Sequence, residues 1–234
     1  MFTESGLLNV FKPVGMTSHD VVDCIRRRLG ASRIGHAGTL DPAACGVLLL
    51  LVNRATRQSK LFTALEKGYR AEATLGVRTT TGDVDGDVIE SAHADIERDA
   101  LERAALHFCG TINQIPPMTS ARKVKGQKLY KLARRGLEIE RPPRTVTIHR
   151  FKILDIYFRG SFQRALLDIE CSSGTYIRTL VEDYGKALGV PACVSFLLRT
   201  RVGEYKLRDS VTLQKIIEQG AEAHLIKFAS EPDG

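Results

Sequence analysis

With 234 residues and 43% hydrophobic content, the chain can bury one substantial core, and no repeat or low-complexity stretch marks it as a solenoid or a disordered protein. Five widely spaced cysteines, odd in number and without a C-x-x-C pair, exclude a disulfide framework and a cysteine zinc site, and the longest aliphatic run, residues 47–52, is too short to span a bilayer. The net charge of +7 is concentrated: residues 122–144 carry nine basic side chains against two acidic ones, which accounts for the whole excess. Clustered Lys and Arg exchange condensed counterions for phosphate contacts, so this segment is expected to face a polyanion. The first ten residues lack a basic stretch followed by an apolar one, and a soluble, cytoplasmic protein is the expectation.

The pattern along the chain mixes strands and helices. Residues 7–11 read as a short strand closed by Lys12-Pro13-Val14-Gly15. Ser18 is placed to cap a helix whose apolar residues Val21, Val22, Ile25 and Leu29 keep helical spacing up to Gly30. Residues 47–52 predict a buried strand, 56–65 a second helix, and 69–75 an alternating strand ahead of the turn-rich 79–87. An amphipathic helix is predicted over 95–108. Prolines at 116–117 and 142–143 then bracket the basic segment as an excursion from the core, a loop with a short helix. Long strands are predicted over 145–157 and 163–171, a helix over 175–188, a strand over 202–207 and a last helix over 213–218. Because strands and crossover helices do not alternate regularly, the expected class is α+β, with a mixed, largely antiparallel central sheet flanked by helices.

One stretch carries chemistry on its face: Gly35-His36-Ala37-Gly38-Thr39-Leu40-Asp41-Pro42-Ala43-Ala44-Cys45-Gly46, a glycine-punctuated loop that presents a carboxylate and an imidazole beside an apolar strand. Loops held by a rigid scaffold are where catalytic groups concentrate. Spacing alone leaves an ordinary Asp-Pro turn equally open. Asp83-Val84-Asp85-Gly86-Asp87 suggests a calcium loop but lacks a glutamate at the twelfth position, which favours a tight turn between strands. The six histidines show no metal-ligand spacing, and there is no P-loop.

Five blocks taken in order resemble the TruB family of tRNA pseudouridine synthases. They are Lys12-Pro13-x-Gly15-x-Thr17-Ser18, His36 through Pro42, Lys67-Gly68-Tyr69-Arg70-Ala71, Gln114-x-Pro116-Pro117 through Gly136, and Cys171-Ser172-x-Gly174-Thr175-Tyr176-Ile177-Arg178-Thr179-Leu180. The resemblance implies the pseudouridine synthase fold with a basic RNA-binding insertion over about residues 112–144. It also implies isomerisation of uridine-55 in the tRNA T-loop. Asp41 becomes the essential carboxylate, with addition to the ring, attack on the sugar and a glycal route all left open. Arg178 is expected to pair with Asp41 and keep it ionised. Tyr69 is expected to stack on the flipped base and help move a proton, with Leu197 or Leu198 closing the apolar side. His36 helps extrude or replace the base, whose unstacking costs roughly a few kcal/mol. Lys12, Arg57 and the insertion cations, among them Lys123, Lys125 and Arg134, are assigned to phosphates, and Tyr130 to anchoring the insertion or stacking on RNA. An isomerisation without net redox or hydrolysis implies no metal and no organic cofactor.

The chain departs from the family in three places. Ala43, Ala44 and Cys45 stand where leucine, alanine and threonine are usual, Arg57 where lysine is usual, and Leu198 where arginine is frequent. The chain also stops within about thirty residues of Gly203, too few for a complete PUA-like domain. A single catalytic domain over 1–234, acting as a monomer on the T-arm without an obligate protein partner, is the resulting expectation. The competing reading is an RNA-binding or tRNA-folding module with a silent Asp41. The guide-RNA-dependent branch and a base-excising glycosylase are further rivals.

Overall fold

The computed structural model describes residues 2–120, 123–124, 126–133 and 135–228. In chain order the elements are β1 (Gly6–Lys12), α1 (Ser18–Leu29), β2 (Ile34–His36), β3 (Cys45–Val52), a 3-10 segment (Asn53–Gln58), α2 (Ser59–Ala64), β4 (Lys67–Leu75), β5 (Val77–Thr79), β6 (Val88–Ser91), α3 (Arg98–His107) and β7 (Gly110–Gln114). There follow β8 (Lys123–Val124), β9 (Gln127–Lys128) and α4 (Leu129–Ala133). The chain then continues through β10 (Arg144–Arg159), β11 (Phe162–Cys171), α5 (Ile177–Ala187), β12 (Ala192–Val202), β13 (Tyr205–Lys206), β14 (Val211–Thr212) and α6 (Leu213–Gln219). The class is α+β, and the sheet is mixed: β1 with β14 and β3 with β12 run parallel, while β1 with β3, β7 with β10 and β10 with β11 run antiparallel. The backbone divides into two compact units, Met1–Lys67 with Leu198–Gly234, and Gly68–Leu197.

In the first unit the strand order is β14-β1-β3-β12. Every residue of β3 is buried because both faces of the strand are covered. Leu48, Leu50 and Val52 join Val21, Val22, Ile25 and Leu29 of α1 in one core, while Val47, Leu49 and Leu51 pack with Ala55 and Val202 in another. Each such side chain contributes roughly 1.5–3 kcal/mol by leaving water, which is why the run is unbroken rather than alternating. One edge of β3 belongs wholly to β1, and the other is shared: Leu50 to Val52 pair with β2, Cys45 and Gly46 with β12. Residues 37–44 leave β2 and enter β3 where that edge changes hands, and this places the Gly-rich loop.

Gly46 makes the change of partner possible. Its φ is +110°, and a Cβ there would stand 2.2 Å from the Arg199 carbonyl oxygen. Only glycine fits both the conformation and the approach.

In the second unit β4, β11, β10 and β7 lie side by side in that order. Phe108, Phe151 and Tyr184 form its aromatic core, with ring centroids 5.0 Å apart for Phe151 and Tyr184, and the Tyr184 hydroxyl donates to the Leu101 carbonyl at 2.9 Å. The basic insertion emerges from a closed base: Arg144 at the start of β10 pairs in register with Gln114 at the end of β7. The turn-rich 79–87 joins β5 to β6, as a tight turn between strands should.

Several boundaries differ from expectation for identifiable reasons. Thr17, not Ser18, caps α1, in a reciprocal capping box with Asp20. The two later helices start two or three residues late because buried glutamines take the backbone groups in front of them. Gln163 bonds both N–H and C=O of Ile96, and Gln114 does the same for Tyr176. Residues 56–65 divide into a 3-10 segment and α2, and the strand expected at 202–207 is broken by the turn of a hairpin, with Val202 ending β12 and Tyr205–Lys206 forming β13. The long strand β12 escapes an apolar-pattern reading because Arg199 points inward from it, 1% exposed.

Candidate active site

Several bonds to its main chain hold the Asp41 loop. Ala37 N–H donates to the Leu49 carbonyl at 2.9 Å and continues the β2–β3 ladder one residue past His36. Ser18, released from capping, donates from Oγ to the Leu40 carbonyl at 3.1 Å and accepts from Leu40 N–H at 2.8 Å. Ala44 N–H donates to the Asp41 carbonyl at 3.1 Å, so Asp41 opens a tight turn and is half-buried. The turn reading and the catalytic reading of Asp41-Pro42 thus coexist.

Two buried cations fasten this turn. The Arg199 guanidinium donates to Val47 O at 2.7 Å, Thr39 O at 3.2 Å and Gly38 O at 3.1 Å. Lys12, 0% exposed, donates from Nζ to Pro13 O at 2.8 Å, Met16 O at 2.5 Å and Pro42 O at 3.4 Å, while Gly15 N–H donates to Pro42 O at 2.9 Å. Burial lowers the Lys12 ammonium to about 8, against the opposing pull of Cys45 and Asp41 and with help from Arg199. Enclosed by three carbonyls, the ammonium positions the Asp41 turn. Lys67 is buried in the same manner, with Nζ donating to Thr63 O and Leu65 O. Both lysines stand at strand ends, Lys12 closing β1 and Lys67 opening β4, where sequence alone does not mark them as buried.

His36 ends β2, half-buried, with Nδ1 enclosed and unpartnered. Burial, then Arg199 and His19, lower its pKa, which makes it a neutral imidazole at ordinary pH. Arg57 is exposed on the 3-10 segment and lines a cavity of about 370 Å³ with Arg33, Arg54, Ser5, Ser32 and Asn53. Asn53 shapes the rim: it sits at φ +52°, its Nδ2 donates to the Phe2 and Glu4 carbonyls, and Ser32 Oγ donates to its Oδ1. Leu198 pairs in register with Cys45 and is half-buried; Leu197, buried, shares with Arg199 the other face of β12.

The remaining expected residues belong to the second unit. Tyr69 is buried on the face of β4 that carries Ala71, Ala73 and Leu75. The opposite face carries Glu72, which accepts from Ser195 Oγ at 2.5 Å and from Tyr157. Arg178, in the first turn of α5 and 6% exposed, donates from Nη1 to Thr81 O at 2.9 Å and to Thr119 Oγ1 at 2.7 Å. Asp83 Oδ2 lies 3.4 Å from the same nitrogen. Asp83 is itself held, accepting at Oδ1 from Thr81 Oγ1 at 2.5 Å and from Asp85 N–H at 3.1 Å. The sequence reading gave Asp83 a turn and missed its buried ion pair with Arg178.

In the insertion, Lys123 stands in β8 and Tyr130 in α4, while Lys125 and Arg134 lie outside the described residues.

Against known proteins, the fold aligns with a chain of a Cbf5–Nop10–Gar1 complex at 30% identity and TM-score 0.72, over 92% of this chain and 54% of that one. It aligns with the archaeal box H/ACA Nop10–Cbf5 complex at 29% identity and TM-score 0.67, again spanning about half of the other chain. The fold is that of a pseudouridine synthase. Residues 26–177 match the model for the N-terminal domain of TruB family pseudouridylate synthases, and residues 178–227 match the tRNA pseudouridylate synthase B C-terminal domain. The chain belongs to the TruB family, isomerases that act on tRNA. Similar relatives include the tRNA pseudouridine synthase B of Moorella thermoacetica, 50% identical over 96% of this chain and 75% of that protein. That of Symbiobacterium thermophilum is 49% identical over 90% and 71% respectively.

Proposed function

We propose that this chain forms pseudouridine at uridine-55 of the tRNA T-loop, with Asp41 as the group that initiates breaking and re-forming of the glycosidic bond. The observation that carries the reading is the anchoring of the Asp41 turn by Lys12, Arg199 and Ser18, each bonded to its main-chain carbonyls. A carboxylate that must act on a substrate atom requires a backbone fixed independently of its side chain.

The roles of the other residues follow from the motif resemblance. The target uridine flips out of the folded loop, and Tyr69 stacks on it beside Leu197. His36, neutral and half-buried, takes the place of the departed base. Arg178 pairs with Asp41, a charge-assisted contact that favours the ionised acid. Arg57, with Arg33 and Arg54 around the same cavity, takes backbone phosphates, as do the insertion cations. The catalytic domain extends over the whole chain, which binds the T-arm as a monomer.

Tritium release from 5-tritiated uridine in an unmodified T-arm stem-loop tests this. The parent releases tritium at the T-loop uridine only, and Asp41→Asn lowers the single-turnover rate by roughly three orders of magnitude or more. Binding without release by the parent would instead identify an RNA-binding module, the reading that the basic insertion alone would allow.

A further inference from the structure

We propose that Thr119 is a positioning residue through which the basic insertion fixes the plane of the Arg178 guanidinium. The inference rests on the reading of Arg178 given above and adds a device to it.

Nη1 of an arginine carries two hydrogens, and here each has an acceptor: the Thr81 carbonyl at 2.9 Å and the Thr119 hydroxyl at 2.7 Å. With both hydrogens directed, Asp83 at 3.4 Å supplies charge rather than a further directed bond. The two acceptors come from different places. Thr81 sits in the turn between β5 and β6, and Thr119 sits in the insertion, five residues past Gln114 in the segment that the β7–β10 pair closes. Two acceptors on one planar nitrogen define the rotation of the guanidinium, and loss of either removes one of the two directed bonds.

The root of the insertion is built to hold Thr119 there. Ser120 N–H donates to the Pro117 carbonyl at 3.1 Å and closes a turn around Met118 and Thr119. Arg141, on the returning limb, donates to the Pro116 carbonyl at 3.2 Å. Gln114, on the outgoing limb, clamps both backbone groups of Tyr176, two residues before Arg178. Insertion root and first turn of α5 are therefore tied at two points in the chain, one through backbone and one through the Arg178 side chain. The insertion thus reaches the guanidinium through the Thr119 hydroxyl.

The test compares Thr119→Val, which keeps the shape and removes the acceptor, with Thr119→Ser, which keeps the acceptor. Single-turnover tritium release is expected to fall about tenfold or more in Thr119→Val while stem-loop Kd stays within about twofold. Thr119→Ser restores the rate to within about threefold. Arginine side-chain NMR gives a readout that does not depend on turnover: the Arg178 Nη1 protons, identified by their loss in Arg178→Lys, are resolved in the parent and in Thr119→Ser and averaged in Thr119→Val. A parent-like rate and parent-like Nη1 signals in Thr119→Val would overturn the proposal, as would loss of rate and affinity in equal proportion without rescue by serine. Absence of release from the parent would sink the reading of function, and the Nη1 signals would still decide the role of Thr119.

Discussion

The Asp41 turn and the surroundings of Arg178 solve opposite problems with the same residue types. Around Asp41 the buried cations Lys12 and Arg199 donate to main-chain carbonyls, so positive charge is used to shape a loop. Around Arg178 the cation is itself the group being aimed, and a carbonyl, a hydroxyl and a carboxylate surround it. The difference teaches where a substitution acts. In the first region, removing a charge unmakes the backbone; in the second, it misdirects a side chain on an intact helix.

Arg199→Met tests the first half of that contrast with the largest effect. It leaves the Gly38, Thr39 and Val47 carbonyls without their donor, so urea unfolding should show a loss of about 3–5 kcal/mol, with activity lost alongside. A variant as stable as the parent would mean the loop is held by other contacts. Asp83→Asn tests the second half: about 1–3 kcal/mol of stability is expected to go with the charge facing a buried guanidinium, and single-turnover rate should fall further than stability accounts for. If rate and stability fell in step, the two regions would not differ in kind.

Lys12 sharpens the contrast through pH. Its ammonium titrates near 8 in the folded chain against an ordinary 10.5. Between those values the unfolded chain binds more protons than the folded one, so stability rises with pH; below 8 both are protonated and the burial cost is fully present. Relative to Lys12→Met, which lacks the titration, the parent should gain about 1–3 kcal/mol over that window in denaturant melts. Parallel curves for the two proteins would show that water reaches the ammonium.

How much of this was legible beforehand depended on whether a residue's job was local. The α1 helix, β3 and the β10–β11 pair were readable because apolar spacing and a glycine stop are written into neighbouring residues. For Asp41 and Arg178 the motif supplies expected roles, which the variants above test. What stayed hidden was set by residues far along the chain. Ser18 leaves the cap to bond Leu40, Gln114 and Gln163 delay α5 and α3, and β12 was passed over because its inward Arg199 broke the apolar pattern. The enclosure of Lys12 was hidden for the same reason. A lysine after a strand reads as solvent-exposed until the fold shows three carbonyls around it.

Arg57 carries the smallest expected effect and marks where the inward use of charge stops. It lies in the same unit as Lys12 and Arg199, yet it is exposed and lines a cavity with two other arginines, so its charge is available to an anion. Neutralising one phosphate-contacting cation removes about one released counterion, so Arg57→Ala should lower the slope of log affinity against log salt by about one and weaken stem-loop binding roughly tenfold at low salt. The parent slope itself should be steep, since nine basic residues are gathered in the insertion. Fold stability should be unchanged, because exposed charges contribute little to it. Measured across a salt series, an unaltered slope would place Arg57 with the scaffold cations after all, and the division between inward and outward charge in this unit would fail at its clearest test.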